Sequence, residues 1–87
     1  LRPGTALLRI PAGSLHQIRP KDIVGALAGE TGIPGNAIGA INIYETHSTV
    51  EVPERLAGQV MEGMKGKSIG RVRLDQPIEI AGTSSGQ

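Results

Sequence analysis

Residues 38–52 read IGAINIYETHSTVEV, and this stretch decides the fold class. On both sides of residues 45–46, apolar side chains alternate with polar or small ones, a spacing typical of half-buried strands. Residues 38–44 are therefore predicted as one strand and residues 47–52 as the next. The link between them is so short that the two strands are expected to pair as an antiparallel hairpin.

A helix is predicted on each side of this hairpin. The upstream helix takes Pro20 into its first turn and ends at Gly29 and Gly32,. The downstream helix takes Pro53 into its first turn and closes at Gly66,. Apolar stripes at helical spacing mark the two buried faces: Ile23, Val24, Leu27 and Ala28 in the first, and Leu56, Ala57, Val60, Met61 and Met64 in the second,.

The first and the last strand along the chain complete the prediction. Residues 5–11 alternate with Leu8 and Ile10 on the buried face, and residues 69–75 do so with Val72 and Leu74,. The resulting order, βαββαβ, is an α+β, ferredoxin-like plan in which two helices cover one face of a four-stranded antiparallel sheet. The domain is predicted to span residues 1–80, and the polar residues 81–87 are expected to form a flexible tail.

The composition narrows the classes of function. A chain of 87 residues has room for one small domain, and without Phe or Trp its core must be aliphatic,. The absence of Cys excludes a disulfide framework, a Cys-ligated zinc site and thiol catalysis,. No apolar run approaches the roughly 18 residues of a membrane span, so we expect a cytoplasmic domain without a membrane partner. Because the chain opens at Leu1 without Met, we also expect a piece of a longer protein.

The open face of the predicted sheet concentrates positive charge, although the net charge is only +1. With strand order 4-1-3-2, Arg9 lies on a central strand and Arg71 and Arg73 lie on its neighbour, about 5 Å away in the pairing direction. These three guanidinium groups are predicted to form one cluster that attracts phosphate and can stack on bases. Lys65 and Lys67 in the preceding loop are expected to add phosphate contacts.

The second and third strands add polar and aromatic side chains to the same face. His47, Thr49 and Glu51 point outward from the third strand, and Asn42 and Tyr44 point outward from the second. His47 either stacks on a base or is a plain exposed side chain, and outward arginines can also serve only to keep a sheet edge soluble. The candidate RNA-binding residues are Arg9, Arg71, Arg73, His47, Thr49, Lys65 and Lys67.

Two short motifs imitate other binding loops. Residues 66–68 read GKS, but Met61 stands where a phosphate-binding loop needs Gly, and a helix precedes where a strand is required,. Residues 32–35 read GIPG, which fits a turn better than the helix-joining GxxG loop of another RNA-binding fold,. His16 and His47 lack partners at metal-ligand spacing. We therefore predict no metal, no cofactor and no catalytic residue in this chain.

Three segments carry a resemblance to a known family: IRPKDIVGALA at residues 18–28, IGAINIY at 38–44 and VEVP at 50–53. They resemble the DbpA-type RNA-binding domain found at the C-terminus of bacterial DEAD-box RNA helicases, and the resemblance runs from residue 6 to residue 74. It implies a variant of the RNA recognition motif (RRM) whose parent is an ATP-dependent helicase with its catalytic core upstream. It also implies structured RNA as the partner, without a preference for DNA. In several members that RNA is a ribosomal hairpin tied to ribosome assembly.

One departure from the RRM pattern bears on the mechanism. RRMs stack bases on aromatic side chains of the two central strands, where this chain has Arg9, His47 and Thr49. Contacts are therefore expected from Arg9, from His47 and from loops. Two alternatives on the same plan remain open: a ferredoxin-like domain that binds a small ligand or dimerises, and an acylphosphatase-like enzyme, whose anion-binding loop is not evident because residues 13–16 contain no Arg.

Overall fold

The computed structural model describes residues 4–84. Its helices and strands follow in the order β1 (Thr5–Ile10), α1 (Pro20–Thr31), β2 (Ile41–Ile43), β3 (Ser48–Pro53), α2 (Glu54–Gly63), β4 (Ser68–Ile69), β5 (Val72–Arg73) and β6 (Glu79–Ser84). Short 3-10 helices lie at Ser14–His16 and Gly35–Ala37. The predicted order up to the second helix is confirmed. Residues 1–3 of the predicted domain and residues 85–87 of the predicted tail lie outside the described residues.

A four-stranded antiparallel sheet organises the domain, with strand order β2-β3-β1-β6. Burial alternates along β1 and β3, so each strand turns one face inward. Helices α1 and α2 pack against each other, and α2 also packs on β1 and β3. The predicted α+β, ferredoxin-like fold is therefore confirmed, and one face of the sheet stays open.

The fourth strand of the sheet differs from the prediction. Residues 69–75 do not extend beside β1; they contribute to β4 and β5, which pair only with each other. Gly70, at φ +57°, and Arg71 form the turn that reverses the chain between these strands, and such a φ favours Gly. The alternation of Val72 and Leu74 correctly indicated a buried side, because Leu74 is buried. Alternation does not specify a pairing partner, and β6 takes the place beside β1.

Strand β6 also changes the predicted end of the domain. It pairs antiparallel with β1, with a bulge opposite Leu7 and Leu8. Residues 81–84 therefore belong to the sheet and not to the flexible tail predicted for 81–87, and the strand runs past the predicted boundary at residue 80. These small residues resemble a tail in composition, but their backbone groups complete the hydrogen bonding of a central strand.

The core is aliphatic, as the composition predicted. Its largest fully buried hydrophobic side chains come from every layer of the fold: Leu8, Ile10, Ile23, Leu27, Met64, Ile69, Val50, Val52 and Val60. Both helices contribute one buried stripe and turn their polar sides outward. Along residues 4–84, neither helix has the length and apolar character needed to cross a membrane.

One polar side chain is buried completely within this core. The Ser48 hydroxyl donates a hydrogen bond of 2.6 Å to the carbonyl oxygen of Ala12, which ties the segment after β1 to β3. Replacing Ser48 by Ala leaves that buried carbonyl without a donor, so we expect a loss of about 1–3 kcal/mol in the free energy of unfolding. Urea denaturation measures it, with the exposed Ser14→Ala as control. Equal midpoints for the two variants would show that the hydroxyl contributes nothing.

Candidate nucleic-acid interface

The strand register sets a polar row across the open face of the sheet. Asn42, Thr49, Arg9 and Glu79 lie opposite one another on the four strands β2, β3, β1 and β6. Arg9 is exposed and Thr49 is half-buried, while their chain neighbours on β1 and β3 are buried. Arg9 and Thr49 therefore point outward from the two central strands, as predicted. Arg9 stands between a neutral hydroxyl and a carboxylate.

An aromatic pair lies beside this row, at the end of β2 and β3. The rings of Tyr44 and His47 are stacked, with centroids 4.8 Å apart and planes inclined by 22°. The Tyr44 backbone N–H donates to the His47 carbonyl at 2.9 Å, so the two residues continue the pairing of the strands. Alternation along the two strands predicts that both side chains point outward, but it does not pair them. The two-residue link between Tyr44 and His47 could have indicated this pair, because a two-residue turn in a tight hairpin places the residues on its two sides opposite each other.

A hollow of about 440 Å³ opens next to the aromatic pair. Its walls come from β1 and the residues after it, the 3-10 helix, the β2–β3 turn and the segment at the end of β5: Arg9, Pro11, His16, Thr46, Arg73, Asp75 and Gln76. The structure therefore brings Arg9 and Arg73 to one place. Arg73 reaches the hollow from the β4–β5 hairpin and not from a strand beside β1.

Arg71 does not share this hollow. It lies in the β4–β5 turn, outside the four-stranded sheet. The predicted cluster of Arg9, Arg71 and Arg73 on adjacent strands is therefore wrong, because the segment that carries the last two does not pair with β1. Two of the three arginines remain together.

The two loop lysines have carboxylate partners. Lys65 Nζ lies 2.6 Å from a Glu62 carboxylate oxygen, and Lys67 Nζ lies 3.9 Å from one of Glu30. These are the ion pairs within residues 4–84, and neither Arg9 nor Arg73 takes part in them. Exposed pairs of this kind stabilise a fold by at most about 1 kcal/mol, so either lysine can be released to a phosphate.

Backbone contacts fix the turn that carries the aromatic pair. The N–H groups of Ser14 and Leu15 donate to the carbonyl oxygens of Tyr44 and Glu45 at 2.7 and 3.0 Å. The approach is close because buried Gly13 has no side chain: a Cβ atom there would lie 2.3 Å from the Tyr44 oxygen. The 3-10 helix therefore rests directly on the turn. In the same helix His16 Nδ1 accepts a hydrogen bond from the Gly13 N–H at 3.0 Å, which orients the imidazole in the wall of the hollow.

The fold and its open, arginine-bearing face are those of a small binding module, and a family match assigns its ligand. The family model described as the DbpA RNA binding domain matches residues 7–75, and the chain belongs to that family. The prediction of an RNA-binding domain that is not itself an enzyme is thereby confirmed. The match favours RNA over the alternative of a small ligand or a second copy of the chain. It ends at Asp75, before β6 begins.

Curated relatives carry this domain as a small part of a longer chain. The chain is 36% identical to the ATP-dependent RNA helicase DbpA of Escherichia coli K12 over 73 residues, which are 79% of this chain and 16% of that protein. It is 34% identical to the helicase DeaD of Mycobacterium tuberculosis H37Rv over 74 residues, 85% of this chain and 13% of the relative. It is 38% identical to DeaD of E. coli K12 over 56 residues, which are 64% of this chain and 9% of that protein. The chain thus spans less than a fifth of the length of these relatives.

Proposed function

We propose that this chain is the RNA-binding module of an ATP-dependent DEAD-box RNA helicase. In this role it tethers structured RNA, a ribosomal hairpin above all, to a helicase core in the same cytoplasmic polypeptide, and so contributes to ribosome assembly. The names and lengths of the relatives support this proposal: they are ATP-dependent RNA helicases, and most of their length lies outside the matched part.

The observation that carries the proposal is the meeting of Arg9 and Arg73 in one hollow on the open face. Each guanidinium presents five N–H donors in a planar fork that matches the oxygens of a phosphate. Neither group is held by a carboxylate within residues 4–84, so a phosphate would not have to displace an internal partner. The nearby carboxylates of Asp75 and Glu79 reduce the positive electrostatic potential of the hollow. We therefore expect an affinity for RNA that depends on salt but is not very high.

Fluorescence anisotropy with a labelled panel of hairpins from large-subunit ribosomal RNA tests the RNA-binding role. The double variant Arg9→Ala/Arg73→Ala is expected to weaken binding by about 10- to 100-fold at about 100 mM salt, because two charge-assisted contacts are lost. The slope of the logarithm of affinity against the logarithm of salt concentration should fall by up to about two units, one for each lost phosphate contact. Lys21→Ala/Arg55→Ala removes the same charge from exposed helix positions and should change affinity by less than about 3-fold. Equal losses in both double variants, or no binding by the unmodified chain, would contradict the proposal.

The tethering role is tested in the parent protein. If the module holds RNA for a helicase core, Arg9→Ala/Arg73→Ala should raise the RNA concentration needed for half-maximal ATP hydrolysis and leave the maximal rate unchanged, because the hydrolytic site is elsewhere. Adding Lys65→Ala and Lys67→Ala to this double variant measures the proposed contribution of those loop lysines to RNA binding. A lower maximal rate with an unchanged RNA requirement would count against tethering.

A further inference from the structure

We infer that the open face binds one unpaired nucleotide of the RNA, its base on the Tyr44–His47 pair and its phosphate in the Arg9–Arg73 hollow. This inference rests on the proposed RNA-binding function and adds which part of the RNA is taken. It also restores a stacking site to a sheet whose central strands lack the aromatics that RRMs commonly use. The site lies at the end of the sheet instead of its middle.

The first support is the availability of an aromatic surface. Tyr44 and His47 are stacked on each other with a 4.8 Å centroid separation, and Tyr44 remains 50% exposed. One ring therefore covers the other and still leaves a large part of Tyr44 open to a ligand. Any base can stack on such a ring because every base has a π face. A base inside a duplex already has neighbours on both faces and cannot take this position, whereas an unpaired loop base can.

The second support is that the pair is held in place before a ligand arrives. Both backbone polar groups of Tyr44 are engaged: its N–H donates to the His47 carbonyl at 2.9 Å and its carbonyl accepts from the Ser14 N–H at 2.7 Å. Such fixation lowers the ordering entropy that binding would otherwise require. The turn that carries the ring is therefore fixed by backbone hydrogen bonds.

The third support is the position of the hollow relative to the pair. Thr46, in the turn between Tyr44 and His47, also lines the hollow, as does Pro11. Ile10 and Ser48 form the last pair of the β1–β3 ladder, and Pro11 and His47 are the residues that follow and precede them in the chain. The hollow and the stacked pair therefore share the β2–β3 turn. Its volume of about 440 Å³ lies within the roughly 300–1,000 Å³ in which proteins hold small organic ligands,.

The fourth support is the chemistry of the hollow, which suits a ribonucleotide better than a bare phosphate. Arg9 and Arg73 supply donors for the phosphate oxygens, whereas the carboxylate of Asp75 and the carbonyl of the Gln76 side chain supply acceptors,. An acceptor repels a phosphate but binds a hydroxyl or a base N–H. The 2′-hydroxyl of ribose is such a donor, and its contact would favour RNA over DNA.

A comparison of two hairpins tests the inference. The tightest-binding hairpin of the ribosomal panel is compared with the same stem closed by an abasic loop, which keeps every phosphate and removes the bases. The unmodified chain is expected to bind the abasic-loop hairpin about 5- to 100-fold more weakly, the effect of losing a base–aromatic stack. Tyr44→Ala should weaken binding to the complete hairpin by a similar factor and cause no further loss on the abasic loop, whereas Tyr44→Phe should keep the affinity.

Ile80→Ala is the matched control, because Ile80 is 49% exposed but lies opposite the inward-facing Leu8. The affinity of the Ile80→Ala variant for the complete hairpin should equal that of the unmodified chain. Thermal unfolding verifies that each variant is folded. If the unmodified chain binds both hairpins equally and still depends on Arg9 and Arg73, the inference fails and the proposed function stands. Equal weakening of both hairpins by Tyr44→Ala also overturns the inference. If no hairpin binds, the proposed function itself fails.

Discussion

A chain shortened to end at Ile78 is expected to lose most of its stability. Without β6, the central strand β1 keeps hydrogen bonds only to β3, and its other edge is open to water. The ladder from Thr5 to Arg9 is lost together with the packing of α2 on β6. Each hydrogen bond contributes about 0.5–1.5 kcal/mol, so we expect a decrease of about 3 kcal/mol or more in the free energy of unfolding.

That decrease is large for a domain of this size, whose total stability is expected to be about 5–10 kcal/mol. Urea denaturation followed by circular dichroism measures it, and the full-length variant Thr83→Ala, with an exposed side chain on β6, should stay within about 1 kcal/mol of the unmodified chain. A shortened chain with an unchanged midpoint would mean that the domain ends near residue 80, as composition alone predicted. It would also mean that β6 adds nothing to the fold.

Gly13→Ala is expected to have the second large effect. A Cβ atom at this position would lie 2.3 Å from the Tyr44 carbonyl oxygen and 2.6 Å from that of Glu45. Both are backbone atoms already fixed by hydrogen bonds from the 3-10 helix, so neither can move without breaking those bonds. We expect a loss of about 3 kcal/mol in the free energy of unfolding, near the upper end for an overpacked site. RNA affinity should fall as well, since the turn that carries the stacked pair is displaced.

Gly58→Ala is the matched control for that substitution. Gly58 lies inside α2, and a Cβ atom there would meet nothing within 4 Å. Ala restricts the unfolded chain and favours the helix, so this variant should gain about 0.5–1 kcal/mol. Urea midpoints compare the two variants directly. If they shifted in the same direction, the close approach of Gly13 to the turn would not be what constrains that position.

The sequence predicted the elements that have strong periodicity. The hairpin at residues 38–52 and both helices appear because their buried faces recur at fixed spacing, and their order defines the fold class. A short edge segment is predicted at residues 77–80, but the part of β6 beyond residue 80 was missed because Gly82, Thr83 and Ser84 offer no alternation and resemble a tail. The fourth strand was misplaced for a related reason: periodicity reports which side is buried, whereas pairing depends on backbone groups that all residues share.

Only those parts of the candidate site that lie on one regular strand could be predicted from the sequence. Arg9 and Thr49 point outward as alternation required, because each lies on a regular strand with buried neighbours. The hollow was not predictable, because its walls come from segments that are far apart in the sequence and meet only in the folded domain. His16, Asp75 and Gln76 therefore had no sequence feature to link them to Arg9.

The scattered origin of the hollow makes it a property of the whole folded domain. Its walls extend from Arg9 to Gln76, so a partly unfolded chain cannot assemble it, and RNA that occupies it binds the native state alone. By mass action, RNA at a hundredfold excess over its dissociation constant would stabilise the domain by about 2.7 kcal/mol. A module of modest intrinsic stability would then be most resistant to heat and proteolysis while it holds its RNA.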